Sequence, residues 1–548
     1  MTPPTTQADL VLYGGNVVTL DGKSRTATAV AVAGDRILAV GDDRHVRSFA
    51  GPSTSVLDLA GRTVLPGIND AHLHLAMFGL SGYAVDLNGI DSLATLHLAL
   101  AGAGAGPGGS DWLVGEGWRE ANIPEFDPTP HCTHLDPATG DRPAVLHHAS
   151  RHSVLVNTVA LRMAGITRDT EDPQGGKIVR DPSGEPTGLL LEAAKDLVTR
   201  YVPEHSEEER LDAIVSAMHT LNSLGITSVT DPIVWPELLR DYTTLHRQGR
   251  MTVRVNTLLH WDWPSPTSTS EGLAKALSYA GLSTGLGDDW LRVGGCKLFA
   301  DGVPTQCTAW LHQPYPEGGT GHLVTHGDDD EARYDELMRM IELAHRNRLQ
   351  VQVHVTGDRA ADAAIDGLAR ALKADPWPDA RHALIHGTLL AEDSYDRLAE
   401  YGIGVITSSL MKSHSGASMT RSIGADRWSR AFPAGALLAA GVHVADSSDA
   451  PVCFPDWRRG VATFTGSAPG PYAEVPEDLR LTREQALRLW TTDAAHFEHA
   501  DHQKGSIVPG HLADLVVLDG DVMTVDADRL QTLTPTLTLV GGRAVHSR

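Results

Sequence analysis

The feature that most restricts the fold of this chain is an alternation of strand-like and helix-like segments. Between about 66 and 495, apolar runs such as LQVQVHV and HALIH alternate with amphipathic stretches such as EARYDELMRMIELAHRNR. This alternation is typical of βα units built around a parallel sheet. We therefore expect an α/β fold in which residues 66–495 form a (β/α)8 TIM-type barrel.

The two ends of the chain show a different pattern, of short strands separated by Gly, Asp and Asn. Examples are ADLVLYGGNVVTL near the start and ADLVVLDGD near the end. This pattern predicts a small antiparallel β domain that is shared by residues 1–65 and 496–548. Within the barrel, residues 105–190 are rich in Gly, Pro, His and Asp, and they predict a loop-rich insertion that helps to build a pocket. The sequence leaves open which of four strand candidates, DWLVGEG, AVLHHAS, ITSVTD and TVRVNTLL, belong to the barrel.

Charge and composition exclude several classes of partner. The 548 residues include 45 basic and 69 acidic side chains, which give a net charge of −24, and there is no basic run. Nucleic acids and anionic membranes attract clustered Lys and Arg, so we expect neither as a partner. No apolar run approaches a membrane span, and the N-terminus lacks a secretory signal pattern, which predicts a cytoplasmic protein. The four scattered cysteines predict neither a disulfide framework nor a thiolate zinc site.

Six side chains with metal-binding chemistry follow one another at the ends of strand-like runs. The stretch AHLHL contributes His72 and His74, and later runs contribute Lys297, His354, His386 and Asp449. Their spacing fits barrel strands 1, 4, 5, 6 and 8, whose C-terminal ends meet at one mouth. Imidazoles and a carboxylate suit Zn²⁺ and its neighbours in the first transition row. The order therefore predicts a metal centre, although each residue alone would more simply be structural.

Lys297 fits a metal centre only in a modified form, because an ammonium group repels a cation. Reaction with CO2 would convert the amine into a carbamate that is able to bridge two metal ions. Two ions bridged by hydroxide would lower the pKa of that water and polarise a carbonyl group. Asp449 would hold the hydroxide, take its proton and pass it to a leaving nitrogen. We thus expect two divalent ions, Zn²⁺ by preference, and an N6-carboxylated Lys297.

These motifs resemble those of the amidohydrolase superfamily. LPGINDAHLHL is similar to the PGxIDxHxH signature of this superfamily. Five further stretches resemble one branch, amidohydrolase family 3, which is related to N-substituted formamide deformylase: GEGWRE, RHSVLVNTVALRMAGI, KLFADGVPTQCTAWL, VQVHVTGDRAAD and SSDAPV. The resemblance covers nearly the whole chain. It implies a distorted barrel, a β-sandwich domain from both termini, and hydrolysis of an amide-type C–N bond. It also implies that His72 and His74 bind one metal ion, that Lys297 bridges, and that His354 and His386 bind the second.

The same resemblance supplies candidates for contacts with the substrate. His152, in RHSVLVN, stands where this branch has a histidine, and we expect it to contact the substrate or to act in catalysis. Trp118 and Trp310 lie in shared motifs, whereas Ser409 and Phe454 lie where this chain departs from the branch. One departure is GVITSSLMKSHSG, which replaces a Gln-Pro pair. Because of these departures, the substrate of the family does not carry over.

Three kinds of function remain open at this point. The favoured one is a binuclear hydrolase of a small N-acyl, N-formyl or cyclic amide, and no soluble cofactor is expected. The second is a deaminase or decarboxylase on the same scaffold, but the HxxE of mononuclear deaminases is missing, since Gly357 stands three residues after His354. The third is a scaffold protein without activity, which is disfavoured because all six ligand candidates are present. Such barrels commonly oligomerise, so a homodimer is expected, and Glu192 either faces the pocket or caps a helix.

Overall fold

Eight parallel strands occupy the centre of the molecule and follow one another around it in chain order. The computed structural model describes residues 7–23, 26–173, 175–262, 268–468, 470 and 474–548. The strands are β1 (Ile68–Asp70), β2 (Ile226–Val234), β3 (Arg254–Leu259), β4 (Leu291–Phe299), β5 (Gln350–Val355), β6 (Ala383–His386), β7 (Gly404–Thr407) and β8 (Val444–Asp446). The amide of Ala71 donates to the carbonyl oxygen of Asp446 across 3.4 Å, where the sheet nearly closes on itself. The predicted barrel is confirmed.

The assignment of β2 and β3 resolves the four strand candidates. ITSVTD and the RVNTLL part of TVRVNTLL are barrel strands, while DWLVGEG and AVLHHAS lie in the insertion. Barrel strands are buried on both faces, as parallel sheets covered by helices require. Successive side chains of a strand point to opposite faces, so Gln350, Gln352 and His354 lie on the same face of β5. The side-chain amide of Gln352 donates to Gln350 Oε1 over 3.0 Å. The alternation thus places His354 on the same face as two buried amides.

Helices follow the strands and cover the barrel. The 17-residue helix Glu207–Ser223 begins with a capping box, in which Ser206 accepts from the Glu209 amide and the Glu209 side chain accepts from Ser206. The helix Asp358–Ala374 buries a face rich in alanine. The other helices of the barrel are Leu75–Leu80, Pro236–Arg247, Ser270–Ala280, Asp330–Arg346, Asp393–Tyr401, Ser409–His414, Gly416–Ile423, Ala425–Ser429, Ala434–Ala439, Trp457–Phe464, Arg483–Leu489 and Thr492–Phe497.

Both termini contribute to a small β domain of two sheets. One sheet contains Ala8–Tyr13, Ala29–Ala33, Arg36–Gly41 and Ala50–Asp58; the other contains Asn16–Val18, Thr26–Ala27, Thr63–Pro66, Leu515–Leu518, Pro535–Val540 and Arg543–Ser547. Two strand pairs are parallel, so the sheets are mixed rather than antiparallel as expected from the turns. A buried ion pair joins this domain to β3, since the Arg254 guanidinium contacts the Asp514 carboxylate at 2.7 Å.

The insertion contains more regular structure than its composition suggested. Its six-stranded sheet consists of Val85–Asp86, Leu113–Trp118, Ala144–His148, Ser153–Val156, Gly176–Arg180 and Pro186–Glu192. Short helices accompany it at Leu93–Ala101, Asp136–Thr139, Thr158–Met163 and Asp196–Thr199. Two apolar clusters of its own stabilise the sheet, one around Val154 and one around Trp118. Within the described residues, no helix has the length and apolar character needed to cross a membrane.

Candidate metal centre

The AHLHL stretch leaves β1 at the C-terminal end of the barrel and is tied to the loop after β8. The His72 carbonyl accepts from the Asp449 amide over 2.9 Å, and the Ala450 carbonyl accepts from the His74 amide over 2.9 Å. The Asp70 carboxylate connects the loops after β1 and β8, because it accepts from the backbone amides of His72 and Ser448. This crossed pairing fixes the two histidines opposite Asp449.

The three side chains converge on one point. The Oδ1 atom of Asp449 lies 3.4 Å from His72 Nε2 and 3.2 Å from His74 Nε2. His72, His386 and Asp449 each offer a donor atom within 4.8 Å of the other two. Asp449 and His386 both have a left-handed backbone, with φ of 56° and 70°, a strained conformation for residues other than glycine that is concentrated at functional sites.

Lys297 lies inside the same cluster, near the end of β4. Its side chain is 1% exposed, and Nζ lies 3.4 Å from His72 Nε2. Burial lowers the pKa of its ammonium group to about 7, although the charge of Asp449 acts in the opposite direction. No described carboxylate forms an ion pair with it. A neutral amine is the form that reacts with CO2, so this environment suits the predicted carbamate.

The histidines of β5 and β6 each have one ring nitrogen held by a neighbouring oxygen. The Nε2–H of His354 donates to the Gly302 carbonyl over 3.1 Å, and His386 Nδ1 lies 3.3 Å from the Ser408 hydroxyl. The carbonyl contact fixes the tautomer of His354, and both contacts orient the ring and leave the opposite nitrogen to bind a metal. The two rings are 4.8 Å apart, and burial holds the pKa of each well below its ordinary value. Both imidazoles are therefore neutral, as metal ligands must be.

The donor set fits divalent metal ions. The Nε2 atoms of His72 and His74 face Asp449 Oδ1, whereas their Nδ1 atoms are buried and have no hydrogen-bond partner among the described residues. Burial alone would raise the pKa of Asp449, but its contacts with His72 and His74 hold that pKa well below the ordinary range. An ionised carboxylate beside imidazole nitrogens is a donor set that Zn²⁺ accepts.

His152 reaches this centre from the insertion. Its ring centroid is 5.5 Å from that of His354, and its Nδ1 lies 2.8 Å from Glu192 Oε2. The other oxygen of Glu192 accepts from the Thr308 hydroxyl over 2.8 Å. Burial would raise the pKa of Glu192, but the charges and hydrogen bonds of His152, Lys195 and Thr308 together keep it below its ordinary value. The carboxylate therefore orients the imidazole, with Nδ1 as the donor and Nε2 free to accept or donate a proton.

Of the other four predicted substrate contacts, three are buried and one is exposed. Trp118 is not at the centre: it is 2% exposed, packs against Phe126, and donates from Nε1 to the Leu146 carbonyl, so its role is in the core of the insertion. Ser409 is buried, and its amide donates to Asp446 Oδ1. Trp310 is 5% exposed and stacks against the Arg359 guanidinium at 4.2 Å. Of the four, only Phe454 is open to solvent, at 58% exposure, beside Phe78 at a ring distance of 6.4 Å.

Several supporting residues had no signal of their own in the sequence. Asp70 lies in LPGINDAHLHL and Thr308 in KLFADGVPTQCTAWL, but the metal candidates of these motifs are other residues, and Gly302 acts through its backbone carbonyl. Glu192 had a weak signal, as a carboxylate that directly follows the apolar run LLL. Its backbone is left-handed, with φ of 49°, and this turn directs the side chain towards His152.

The contact between Glu192 and His152 gives a testable prediction. Glu192→Gln removes the charge that favours the donor form of Nδ1, and we expect kcat to fall by roughly 10- to 100-fold with little change in thermal stability. The measurement is a double-mutant cycle with His152→Ala. If Glu192 acts through His152, its substitution has no further effect in the His152→Ala background. A full additional loss there would show that Glu192 has a separate, structural role.

A parallel barrel here carries a His-rich cluster that could hold a metal ion at the C-terminal ends of its strands, which is where the active sites of barrel enzymes lie. The chain belongs to the amidohydrolase family, whose model matches residues 55–546. A Bacillus subtilis protein named as an amidohydrolase, YtcJ, is 29% identical over 98% of this chain and 99% of its own length. The N-substituted formamide deformylase of Arthrobacter pascens is 29% identical over 99% of both chains. The crystal structure of an uncharacterized metal-dependent hydrolase from Pyrococcus furiosus has a TM-score of 0.72 and 25% identity, and the match covers 94% of this chain and all of that one.

Membership of this family identifies the chain as a hydrolase that acts on carbon–nitrogen bonds. The expected barrel, the additional sheets at the termini and the family itself are thereby confirmed. The ligand set, the metal and the substrate stay predictions.

Proposed function

We propose that this protein hydrolyses the amide-type C–N bond of a small molecule, such as an N-acyl, N-formyl or cyclic amide. The ligands would be His72, His74, His354 and His386, with Lys297 as a bridging carbamate between two divalent ions, Zn²⁺ by preference. The observation that carries the proposal is the position of Asp449, whose Oδ1 lies within 3.4 Å of both histidines of the HxH pair.

Bound divalent ions would acidify a water molecule and polarise the carbonyl group of the substrate. Asp449 Oδ1 would take the proton from the attacking water and deliver it to the leaving nitrogen. Its backbone amide is fixed by the His72 carbonyl, so the carboxylate needs little reorganisation during this transfer. With its Nδ1–H held by Glu192, His152 in its protonated form would donate from Nε2 to the carbonyl oxygen as negative charge develops there.

Deamination and decarboxylation are the alternatives on the same scaffold. The HxxE position after His354 is occupied by Gly357, whose amide donates to Asp301 Oδ2 over 2.8 Å. This position therefore anchors a loop and has no carboxylate that could carry a proton. The similarity to a formamide deformylase also favours amide hydrolysis.

The test is product analysis with purified protein and a panel of N-formyl, N-acetyl and cyclic amides. We expect release of a primary amine and a carboxylate, loss of activity after chelation, and recovery when Zn²⁺ is added back. Release of ammonia from an aminated ring, or of CO2 from a carboxylated one, with no amide turned over, would replace the proposal by one of the alternatives. His414→Ala, at the end of the helix Ser409–His414 and outside the ligand set, is the control for metal content.

A further inference from the structure

Three neighbouring barrel strands end in buried polar residues that contact one another. β6 ends at His386, while Ser408 directly follows β7 and Ser447 directly follows β8. Both serines are fully buried, and His386 is 4% exposed. Buried hydroxyl groups need hydrogen-bond partners within the protein, because leaving them unpaired is costly. The partners that these two hydroxyls find therefore indicate their role.

Three contacts connect the imidazole of His386 to the backbone, and we call this series the serine relay. His386 Nδ1 lies 3.3 Å from Ser408 Oγ, and Ser408 Oγ lies 3.2 Å from Ser447 Oγ. The Ser447 hydroxyl in turn donates to the carbonyl oxygen of Thr407 over 2.7 Å. Because each group contacts the next, the direction of one hydrogen bond determines the direction of the others.

The carbonyl group at the end of the serine relay sets that direction. A carbonyl oxygen can only accept, and a hydroxyl group has a single proton to donate. Ser447 gives its proton to Thr407, so it can only accept from Ser408. Ser408 then has no proton left for the imidazole, and the contact of 3.3 Å requires that His386 donates from Nδ1. The neutral ring therefore has its proton on Nδ1 and its free electron pair on Nε2.

The backbone around both hydroxyl groups is fixed by one carboxylate. Asp446 Oδ1 accepts from the backbone amides of Ser409 and Ser447, each over 2.9 Å. Thr407 and Asp446 are also direct neighbours in the pairing of β7 with β8. The loops after these two strands are thus held against each other by contacts that do not involve the serine hydroxyls. The fold itself keeps the two hydroxyl groups within reach of each other.

We propose that Ser408 and Ser447 are positioning residues that make Nε2 of His386 the nitrogen that binds a metal ion. A ligand imidazole that donates its other N–H is held in one tautomer and one orientation, and loss of such a partner weakens metal binding by roughly 10- to 100-fold. Ser408 lies in GVITSSLMKSHSG, so a segment in which this sequence departs from its family motifs supports a metal ligand. The inference rests on the proposed function for the presence of the metal ion, whereas the tautomer is a property of the metal-free protein.

The first test measures the Zn²⁺ affinity of the metal-free protein by competition with a chromogenic chelator. We expect Ser408→Ala to raise the dissociation constant of at least one ion by roughly 10- to 100-fold, because Nδ1–H loses its acceptor. Ser447→Ala should also weaken binding, although Ser447 does not touch the imidazole, because Ser408 is then free to donate to Nδ1 and to favour the other tautomer. The matched control is Ser413→Ala, which removes a hydroxyl that donates to the Leu410 carbonyl and should leave the affinity unchanged.

A double substitution distinguishes a connected relay from two separate packing contacts. In the Ser408→Ala background, Ser447→Ala should cause no further loss of Zn²⁺ affinity, since it acts only through Ser408. Additive losses would overturn the relay. So would single variants that unfold at a lower temperature but bind Zn²⁺ as tightly as the wild-type protein, because the serines would then serve only the stability of the fold.

The tautomer is measured without metal and without turnover. In protein labelled with ¹⁵N in its histidine rings, long-range ¹H–¹⁵N spectra distinguish a proton on Nδ1 from one on Nε2, and His386→Gln identifies the signals of this residue. We expect the Nδ1–H form in the wild type and a substantial share of the Nε2–H form in Ser447→Ala. The Nε2–H form in the wild type would overturn the relay, whatever the product screen shows. An Nδ1–H form in a protein that cleaves no amide would count against the proposed function alone.

Discussion

Asp449→Asn should retain its metal ions and lose at least about 1000-fold in kcat. The amide has nearly the shape of the carboxylate but cannot accept a proton at Oδ1, so both proton transfers assigned to this atom fail. A loss of this size corresponds to about 4 kcal/mol of transition-state stabilisation. The backbone contacts that position residue 449 do not involve the side chain and should persist. The measurements are kcat for an amide found in the product screen and metal content by mass spectrometry.

The matched control for this variant is Asp456→Asn, which lies on the same loop but pairs with Arg458. It should keep both the metal ions and at least half of the activity. Normal turnover by Asp449→Asn would refute the proton-transfer role. Loss of metal together with activity would assign Asp449 to metal binding alone.

The barrel, and the meeting of candidate ligands at the ends of its strands, were predictable because their sequence signals are local and repeat along the chain. Each βα unit contributes one apolar run that ends in a polar residue, and the parallel order of the strands brings those ends together. His354 and His386 therefore meet, at a ring distance of 4.8 Å, although they lie on separate units. The order of residue types along the chain was therefore enough to predict this contact, and the conformations of the loops were not needed.

The insertion was not predictable in the same way. Its strands are short and lie among Gly- and Pro-rich turns, so periodicity gave little indication of a six-stranded sheet. Trp118 shows the consequence: its motif suggested a pocket, but an apolar core of the insertion buries it. Glu192 and Thr308 are 116 positions apart in the sequence, and only the packing of the insertion on the barrel brings them into contact. Contacts that depend on such packing leave no pattern in one sequence.

The second large effect is expected at Lys297. Lys297→Ala should reduce bound metal from two equivalents to one or fewer and lower kcat by at least about 10,000-fold, because the bridging carboxylate of the carbamate is lost. Lys297→Met is the better-packed comparison, since it fills the buried space without an amine. Both variants should fold, because no described carboxylate forms an ion pair with Lys297 and neither substitution leaves a buried charge without its partner.

Chemical rescue distinguishes a carbamate from a simple structural lysine. Acetate or propionate can enter the space left by Lys297→Ala and supply the missing carboxylate, so we expect added short carboxylates to restore part of both metal content and activity. The Lys297→Met side chain occupies that space and should not respond. In the wild-type protein, ¹³C-bicarbonate should give a carbamate signal by NMR that disappears in both variants. One metal ion beside an unmodified Lys297, with no rescue of Lys297→Ala, would contradict the binuclear site and leave a mononuclear centre built on the histidines and Asp449.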